Sequence, residues 1–317
     1  MEVFQSLESF PRRMRGCALA IGSFDGVHLG HRHLLEKLLE RARRDKLAAG
    51  VLTFQPHPAR VLAPELAPPL LMTTRQKLAA LERLGLDFAL QLPFDRQLAE
   101  LSAREFAADI LAGELAAKAV VVGEDFSFGR GREGSGRQLV ELGRELGFQT
   151  ELIEKIAVDG LVVSSTRIRA FLLEGRVEAA ALLLGRPYFM EGTVVRGAQR
   201  GRSLGFPTVN IAAGEQLLPA FGVYACFFWA EGEEAMPALT NIGVRPTFGE
   251  QAGAVEVHVP ERRLEDLTGR QVELAFVSRL RPERRFSSAQ ALVRQIREDI
   301  SRGLKLLEKA VVPRRLC

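Results

Sequence analysis

Cysteine is scarce in this 317-residue chain: Cys17, Cys226 and Cys317 are far apart and odd in number. That spacing excludes a disulfide framework and a zinc ribbon, and reduced thiols are the expectation. Long apolar runs are also missing. No stretch approaches the ~20 apolar residues of a membrane span, and the opening MEVFQSLESFPRRMRG lacks the apolar centre of a signal peptide. A soluble, cytoplasmic enzyme without a membrane partner is expected. There is no dense basic stripe either. The net charge of +4 comes from separated arginine pairs, Arg12-Arg13, Arg43-Arg44 and Arg284-Arg285, which suits phosphorylated small molecules and argues against a nucleic-acid partner. A P-loop is absent as well, because Gly131 to Gly136 is followed by Arg137 and Gln138 where that motif needs Lys and Ser/Thr.

What is present is enough apolar material, 47% of the residues, for two cores. In the first half, short apolar runs at Cys17–Ile21, Gly50–Phe54, Phe88–Leu92 and Ala119–Val122 read as buried strands. Amphipathic stretches lie between them. One helix is expected from about Gly30, with Leu34, Leu35, Leu38 and Leu39 on one face. A second is expected from Thr73 to Gly85, and a third from Ser102 to Ile110, with Ser102 and Glu105 as a capping box and Gly113 just past its end. Alternating strand and helix predicts a Rossmann-like parallel sheet with helices on both faces. After the helix Val177–Leu184 the pattern changes at Gly185-Arg186-Pro187, so residues 1–185 and 186–317 are expected to form separate domains. Strand-like runs at Phe189–Val195, Val223–Phe228, Ala254–Val259 and Gln271–Val277 predict an antiparallel barrel. A terminal helix from Ser287, with Gln290 at the capping-box position, carries the stripe Leu292, Val293, Ile296, Ile300, Leu304.

Two segments carry chemistry in the first half. Gly22-Ser23-Phe24-Asp25-Gly26-Val27-His28-Leu29-Gly30-His31 runs from the first strand into the first helix, where open α/β sheets bind ligands. Gly22, Gly26 and Gly30 admit a close backbone approach, and the helix start offers N–H groups to phosphate. His28 and His31 are spaced to donate to one phosphoryl group and to stabilise charge on five-coordinate phosphorus. The alternatives are surface histidines at a helix start, or a histidine pair for a metal. Farther on, Ser164, Thr166 and Arg167 in Val163-Ser-Ser-Thr-Arg-Ile-Arg169 place hydroxyls and arginines at another helix start; an ordinary cap is the simpler account. Gly129 to Gly134 spells GxGxxG but follows an aromatic loop, so a mobile loop is expected there and not a dinucleotide fingerprint.

In the second half, Gly197, Arg200 and Gly205 punctuate a basic, glycine-rich stretch ending in Thr208-Val209-Asn210. It reads equally as a nucleotide-covering loop with a hydroxyl and an amide for Mg²⁺, or as a hairpin linker. In Val255-Glu256-Val257-His258-Val259 the valines face one side and Glu256 the other. With the valines inward, Glu256 is a solvated strand residue; with the polar side at a barrel mouth, it is a general base.

These segments resemble known families. HLGH with SSTRIR is similar to the nucleotidyltransferase superfamily. GSFDGVHLGH, TFQPHP, GEDFSFGRGREG and VSSTRIR, followed by GRSLGFPTVN, GVYA, NIGVRPTFG, EVHV and LRPERRF, resemble the bifunctional riboflavin kinase/FAD synthetases from about residue 17 to about 307. The resemblance implies a nucleotidyltransferase domain that joins FMN to the adenylyl group of ATP, and a riboflavin kinase barrel that makes the FMN. It further implies that His28, His31, Arg167 and Glu256 are catalytic. Gly22, Phe24, Gly26, Gly30, Ser164, Thr166, Gly197, Arg200 and Gly205 would line ATP, Asp125, Phe126 and Phe128 the flavin, and Thr208 and Asn210 a Mg²⁺ ion. Riboflavin, FMN and ATP are the partners implied, FAD is the final product, and self-association is left open. Ser23 and Asp125 stand where the family often has Asn, and Phe221 where it often has Asp.

Overall fold

Residues Ala18–Ile21 are buried along their whole length, which places this strand inside a sheet with both faces covered. In the computed structural model, which describes residues 1–197, 204–244, 253–260, 262 and 266–317, the chain divides into two compact units. The first comprises Met1–Pro68 and Thr74–Val163, the second Pro69–Thr73 and Ser164–Cys317.

The first unit is built on β1 (Glu2–Phe4), β2 (Ala18–Ile21), β3 (Ala49–Gln55), β4 (Phe88–Pro93) and β5 (Ala119–Gly123). Two short strands, β6 (Ser127–Phe128) and β7 (Gly134–Ser135), precede β8 (Gln149–Ile153). The six longer strands form a parallel sheet in the order β1-β4-β3-β2-β5-β8. From β2 the chain adds β3 and β4 on one side, and β5 and β8 on the other. The carboxyl ends of β2 and β5 therefore flank a topological switch point.

Helix α1 (Leu29–Asp45) follows β2, and it buries Leu34, Leu35 and Leu38. After the single turn α2 (Pro58–Leu62), helix α3 (Thr74–Glu82) buries Gln76, Lys77 and Leu81. A further turn, α4 (Arg96–Glu100), leads to α5 (Ala103–Glu105), which opens with the expected Ser102/Glu105 capping box. It does not stop before Gly113: the chain continues as a π-helix over Phe106–Glu114, because Phe106, Ala107, Ile110 and Leu111 are all buried and hold the wider coil against the core. Helix α6 (Gly136–Leu146) and strands β1 and β8 were not expected from the sequence pattern. The GxGxxG segment forms a hairpin, with β6 paired to β7. Glu133 Oε1 in that hairpin accepts the Ala103 N–H at 2.9 Å.

In the second unit α7 (Ser165–Leu173) and α8 (Val177–Leu184) precede the barrel. They follow a small pair, β9 (Ala157–Val158) with β10 (Leu161–Val162), that belongs to the first unit. The barrel strands are β11 (Tyr188–Val195), β12 (Val209–Ala212), β13 (Gly222–Ala230), β14 (Met236–Val244), β15 (Gly253–His258) and β16 (Gln271–Pro282). They close in the antiparallel order β11-β12-β15-β14-β13-β16. The change of pattern at 185–187 does mark the start of the barrel, but the two helices before it pack with the barrel. Arg279 on β16 donates to the carbonyls of Glu174 at 3.1 Å and Phe221 at 2.7 Å, and its own N–H reaches Glu178 at 3.1 Å.

All nine residues of β13 are buried, as expected of a strand covered by the barrel interior on one face and a helix on the other. That helix is α9 (Ala289–Lys309), capped by Ser288, whose hydroxyl accepts the Ala291 N–H. The cap thus sits one residue later than Ser287, and Gln290 is not at the capping-box position. A Cβ on Gly303 would lie 2.4 Å from Leu239 Cδ1, so glycine is what lets α9 approach the barrel so closely. Asp299, buried at this seam, pairs with Arg281 at 2.8 Å.

Candidate active sites

The loop leaving β2 takes an unusual path. Phe24, Gly26 and Val27 all have positive φ, at 50°, 89° and 37°. This is ordinary for glycine, but a β-branched valine there is strained by an amount of order 1–3 kcal/mol. Phe24 and Val27 are each 1% exposed, and this burial holds the distortion in place. The loop ends at His28, which is the N-cap of α1: its Nδ1 accepts the His31 N–H at 3.2 Å. With Nδ1 an acceptor, the proton of the neutral ring resides on Nε2, which becomes the donor. The two imidazoles stack, with centroids 3.6 Å apart and planes within 12°, while Phe24 meets His31 edge-on at 5.3 Å. A Cβ on Gly30 would lie 3.3 Å from the His28 ring, so glycine there leaves room for the stack. At Gly22 a Cβ would meet the Phe24 ring only at an ordinary contact distance of 3.5 Å, so the ring does not demand glycine there. The helix begins at Leu29, a residue before the expected start, because the histidine itself is the cap.

At the end of β5, Asp125 is exposed and pairs with Lys155 at 3.0 Å. Phe126 stacks on Phe128 at 5.5 Å. Phe128 joins the core through Phe106, which leaves Phe126 the more accessible ring of the two. Ser164 caps α7, accepting the Arg167 N–H at 3.2 Å; Thr166 and Arg167 are exposed beyond it. Arg169 is engaged with the Pro69 carbonyl at 2.8 Å. Val163, the residue before that cap, would be 3.7 Å from a Cβ on Gly30.

One residue under the β2 loop was missed in the sequence. Lys77 of α3 is 8% exposed, and its Nζ donates to the Ser23 carbonyl at 3.3 Å and to Thr53 Oγ1 at 3.1 Å. Burial pulls its pKa down to about 8, against the opposing pull of Asp25. A lysine on an amphipathic helix ordinarily reads as surface, and no local pattern marks this one. The thiols of Cys17 and Cys226 are pushed up to about 12 by burial, so both are inert.

The barrel site is a row across three paired strands. Asn210 of β12 stands opposite Glu256 of β15, and Glu256 stands opposite Asn241 of β14. Directly opposed side chains lie about 5 Å apart at Cβ. One row over, Ile211, Val255 and Ile242 are all buried. The valines therefore pack inward, yet Glu256 is not left to solvent alone: it is half-buried between two amides on the opposite face. The two sequence alternatives were incompletely posed, since inward valines and a polar row coexist. Asn241 went unselected although it begins the NIGVRPTFG motif. Asn210 is 6% exposed, and a Cβ on Gly197 would fall 2.1 Å from its Nδ2; only glycine allows that backbone to lie on the amide. Thr208 is half-buried beside it, after Pro207, whose carbonyl is 2.8 Å from His258 Nδ1. Gly205 has φ +87°. Arg200 lies outside the described residues, as does much of NIGVRPTFG.

Comparison with known proteins finds two families along the chain. The family described as FAD synthetase matches residues 10–167, and the family described as riboflavin kinase matches residues 184–307. The bifunctional riboflavin kinase/FMN adenylyltransferase of Escherichia coli (strain K12) is 40% identical over 284 residues, 90% of each chain. That of Pseudomonas fluorescens is 37% identical over 95% of this chain and 96% of its own, and that of Haemophilus influenzae 35% identical over 95% and 97%. A solved structure described as a macrolide-efflux protein from Streptococcus pneumoniae superposes with a TM-score of 0.83 at 28% identity, covering 94% of this chain and 97% of that one.

Proposed function

The chain belongs to the bifunctional riboflavin kinase/FMN adenylyltransferase family, and from that premise we propose where each of its two reactions takes place. It is a transferase that phosphorylates riboflavin to FMN with ATP and adenylylates FMN to FAD. The observation that supports the site assignment is that the histidine pair and the barrel row stand on different scaffolds: the His28–His31 stack at the switch point of the parallel sheet, and the Asn210–Glu256–Asn241 row on the barrel.

At the first site an FMN phosphate oxygen attacks the α-phosphorus of ATP, and the bond to the β-phosphate breaks to release pyrophosphate. No protein nucleophile is needed. The work is positioning and charge stabilisation: His28 and His31 donate to the phosphates from ring nitrogens, Gly22, Gly26 and Gly30 admit the chain of phosphates, and Phe24 backs His31. Ser164, Thr166 and Arg167 contribute to ATP binding, while Asp125 and Phe126, with Phe128 behind, line the flavin side.

At the second site Glu256 takes the proton from the riboflavin 5′-hydroxyl as that oxygen bonds to the γ-phosphorus and ADP departs. Thr208 and Asn210 offer a hydroxyl and an amide oxygen, a hard donor set that suits Mg²⁺, and the ion, when bound with ATP, supplies charge neutralisation at the phosphates. Gly197, Arg200 and Gly205 belong to the nucleotide-covering segment. The working location is the cytoplasm, with small molecules and neither nucleic acid nor membrane as partners; no helix among the described residues is long and apolar enough to cross a membrane.

Incubating the purified protein with riboflavin, ATP and Mg²⁺ and separating the flavins over time tests the assignment when done with His31→Ala and Glu256→Gln. FMN accumulating without FAD in the first, and FAD formed only from added FMN in the second, is the expected pattern. The same block in both variants overturns the two-site assignment.

A further inference from the structure

Burying a lysine ammonium is costly, and a position that needed only shape would be filled by an apolar side chain. Lys77 is nonetheless buried beneath the β2 loop, with Nζ 3.3 Å from the Ser23 carbonyl and 3.1 Å from Thr53 Oγ1. Thr53 Oγ1 itself lies 3.4 Å from the same carbonyl, so two donors converge on one oxygen. In a trans peptide the C=O and the following N–H point in opposite directions. Tying the Ser23 carbonyl down toward the sheet therefore turns the Phe24 N–H away from it, and the ammonium polarises that peptide in the direction that strengthens the N–H as a donor. The next residues are those with positive φ that lead to His28.

Building on the adenylyl-transfer reading of this loop, we propose that Lys77 is a positioning residue for FAD synthesis, a buried cation that sets the Ser23–Phe24 peptide and lends positive charge to the phosphate-binding loop without itself contacting substrate. Asp25, on the loop, is the charged group acting on it; Ser23 and Thr53 present dipoles only. The role requires the protonated amine. Because the lysine's pKa is depressed to about 8, the charge is present below that pH and lost above it.

The test uses the full-length protein and reads both activities from well below to well above pH 8. In the wild type, FAD formation should fall on the basic side with a midpoint near the lysine's pKa of about 8, a limb that FMN formation by the same molecules does not share. Lys77→Met should form FAD ~10²-fold more slowly, the scale of losing one preorganised electrostatic contributor, and without that basic limb, while FMN formation is unchanged. It should also melt no lower than wild type, because methionine fills the site without the cost of a buried charge; a lysine kept for packing would instead lower the melting point when replaced. Wild-type FAD rates in Lys77→Met, or a basic limb that persists in it, would overturn the proposal. Should the variant fail to fold, a wild-type profile with no basic limb near the lysine pKa overturns it alone. Absence of FAD from the wild type at every pH would sink the underlying site reading together with it.

Discussion

The β2 loop and the β12–β15–β14 row place polar side chains by opposite means. In the loop, residues of positive φ, a buried aromatic ring and a capping histidine force the backbone through a path it would not otherwise take. On the barrel, regular antiparallel pairing brings Asn210, Glu256 and Asn241 into line with no unusual backbone at all. On the proposed assignment, the strained loop would gather N–H groups and imidazoles around phosphate, whose charge is spread over several oxygens, and the strand row would hold one carboxylate for one proton. The two scaffolds would then suit two tasks, donors around phosphorus in one and a well-placed base in the other.

The sharpest way to break that contrast is Glu256→Gln, which keeps size and strand geometry. Losing a positioned base is expected to slow riboflavin phosphorylation by ~10²–10⁴-fold, with conversion of added FMN to FAD unchanged; single-turnover kinetics with each flavin measures both. Wild-type FMN formation would return Glu256 to the status of an ordinary strand residue. Next in size, His31→Ala removes a donor from the loop and should cost ~10²–10³-fold in FAD formation while FMN formation holds. His28→Ala should do the same and also lower stability by about 1 kcal/mol through the lost cap, a difference that urea unfolding would resolve.

Gly197→Ala probes the barrel side without touching a polar group. The new Cβ would strike the Asn210 amide at 2.1 Å, and displacing that amide by an ångström is expected to cost ~10²-fold or less in kinase kcat/KM. The effect should appear mainly in the KM for Mg-ATP and leave FAD formation intact. The smallest effect concerns the boundary. Because Arg279 ties β16 to α7 and to Glu178 of α8, a fragment of residues 164–317 should melt higher than one of residues 186–317, by roughly 4–8 °C per kcal/mol of packing retained. Equal melting points would restore the boundary read from the pattern change alone.

Much of this was legible in the sequence wherever local rules decide. The Ser102/Glu105 box, the leucine face of α1 and the alternation around Glu256 are short-range signals, and each produced its element. What escaped depends on partners far along the chain. Lys77 looks like any helical lysine until Ser23 and Thr53, 54 and 24 residues away, close around it. Asn241 gains meaning only from its register with Glu256. Strands β1 and β8, at the sheet's edges, lack the continuous apolar runs of β2 and β5 and so gave no strong strand signal. Helices α7 and α8 read correctly as helices, but which core they would join was not written in their periodicity.

Residues Pro69–Thr73 belong by packing with the barrel although they sit in sequence inside the first unit. The Leu70 carbonyl accepts the Leu217 N–H at 2.8 Å, and Gln216 Nε2 donates to the Leu71 carbonyl across 145 residues of chain. On the ribosome, at roughly 5–20 residues per second, that strap emerges some 7–30 s before the residues it binds. The nascent N-terminal half must therefore present an unsatisfied segment while synthesis continues. Vectorial folding of this protein is thus not a simple hand-over from one finished half to the next, because a piece of the second is already waiting within the first.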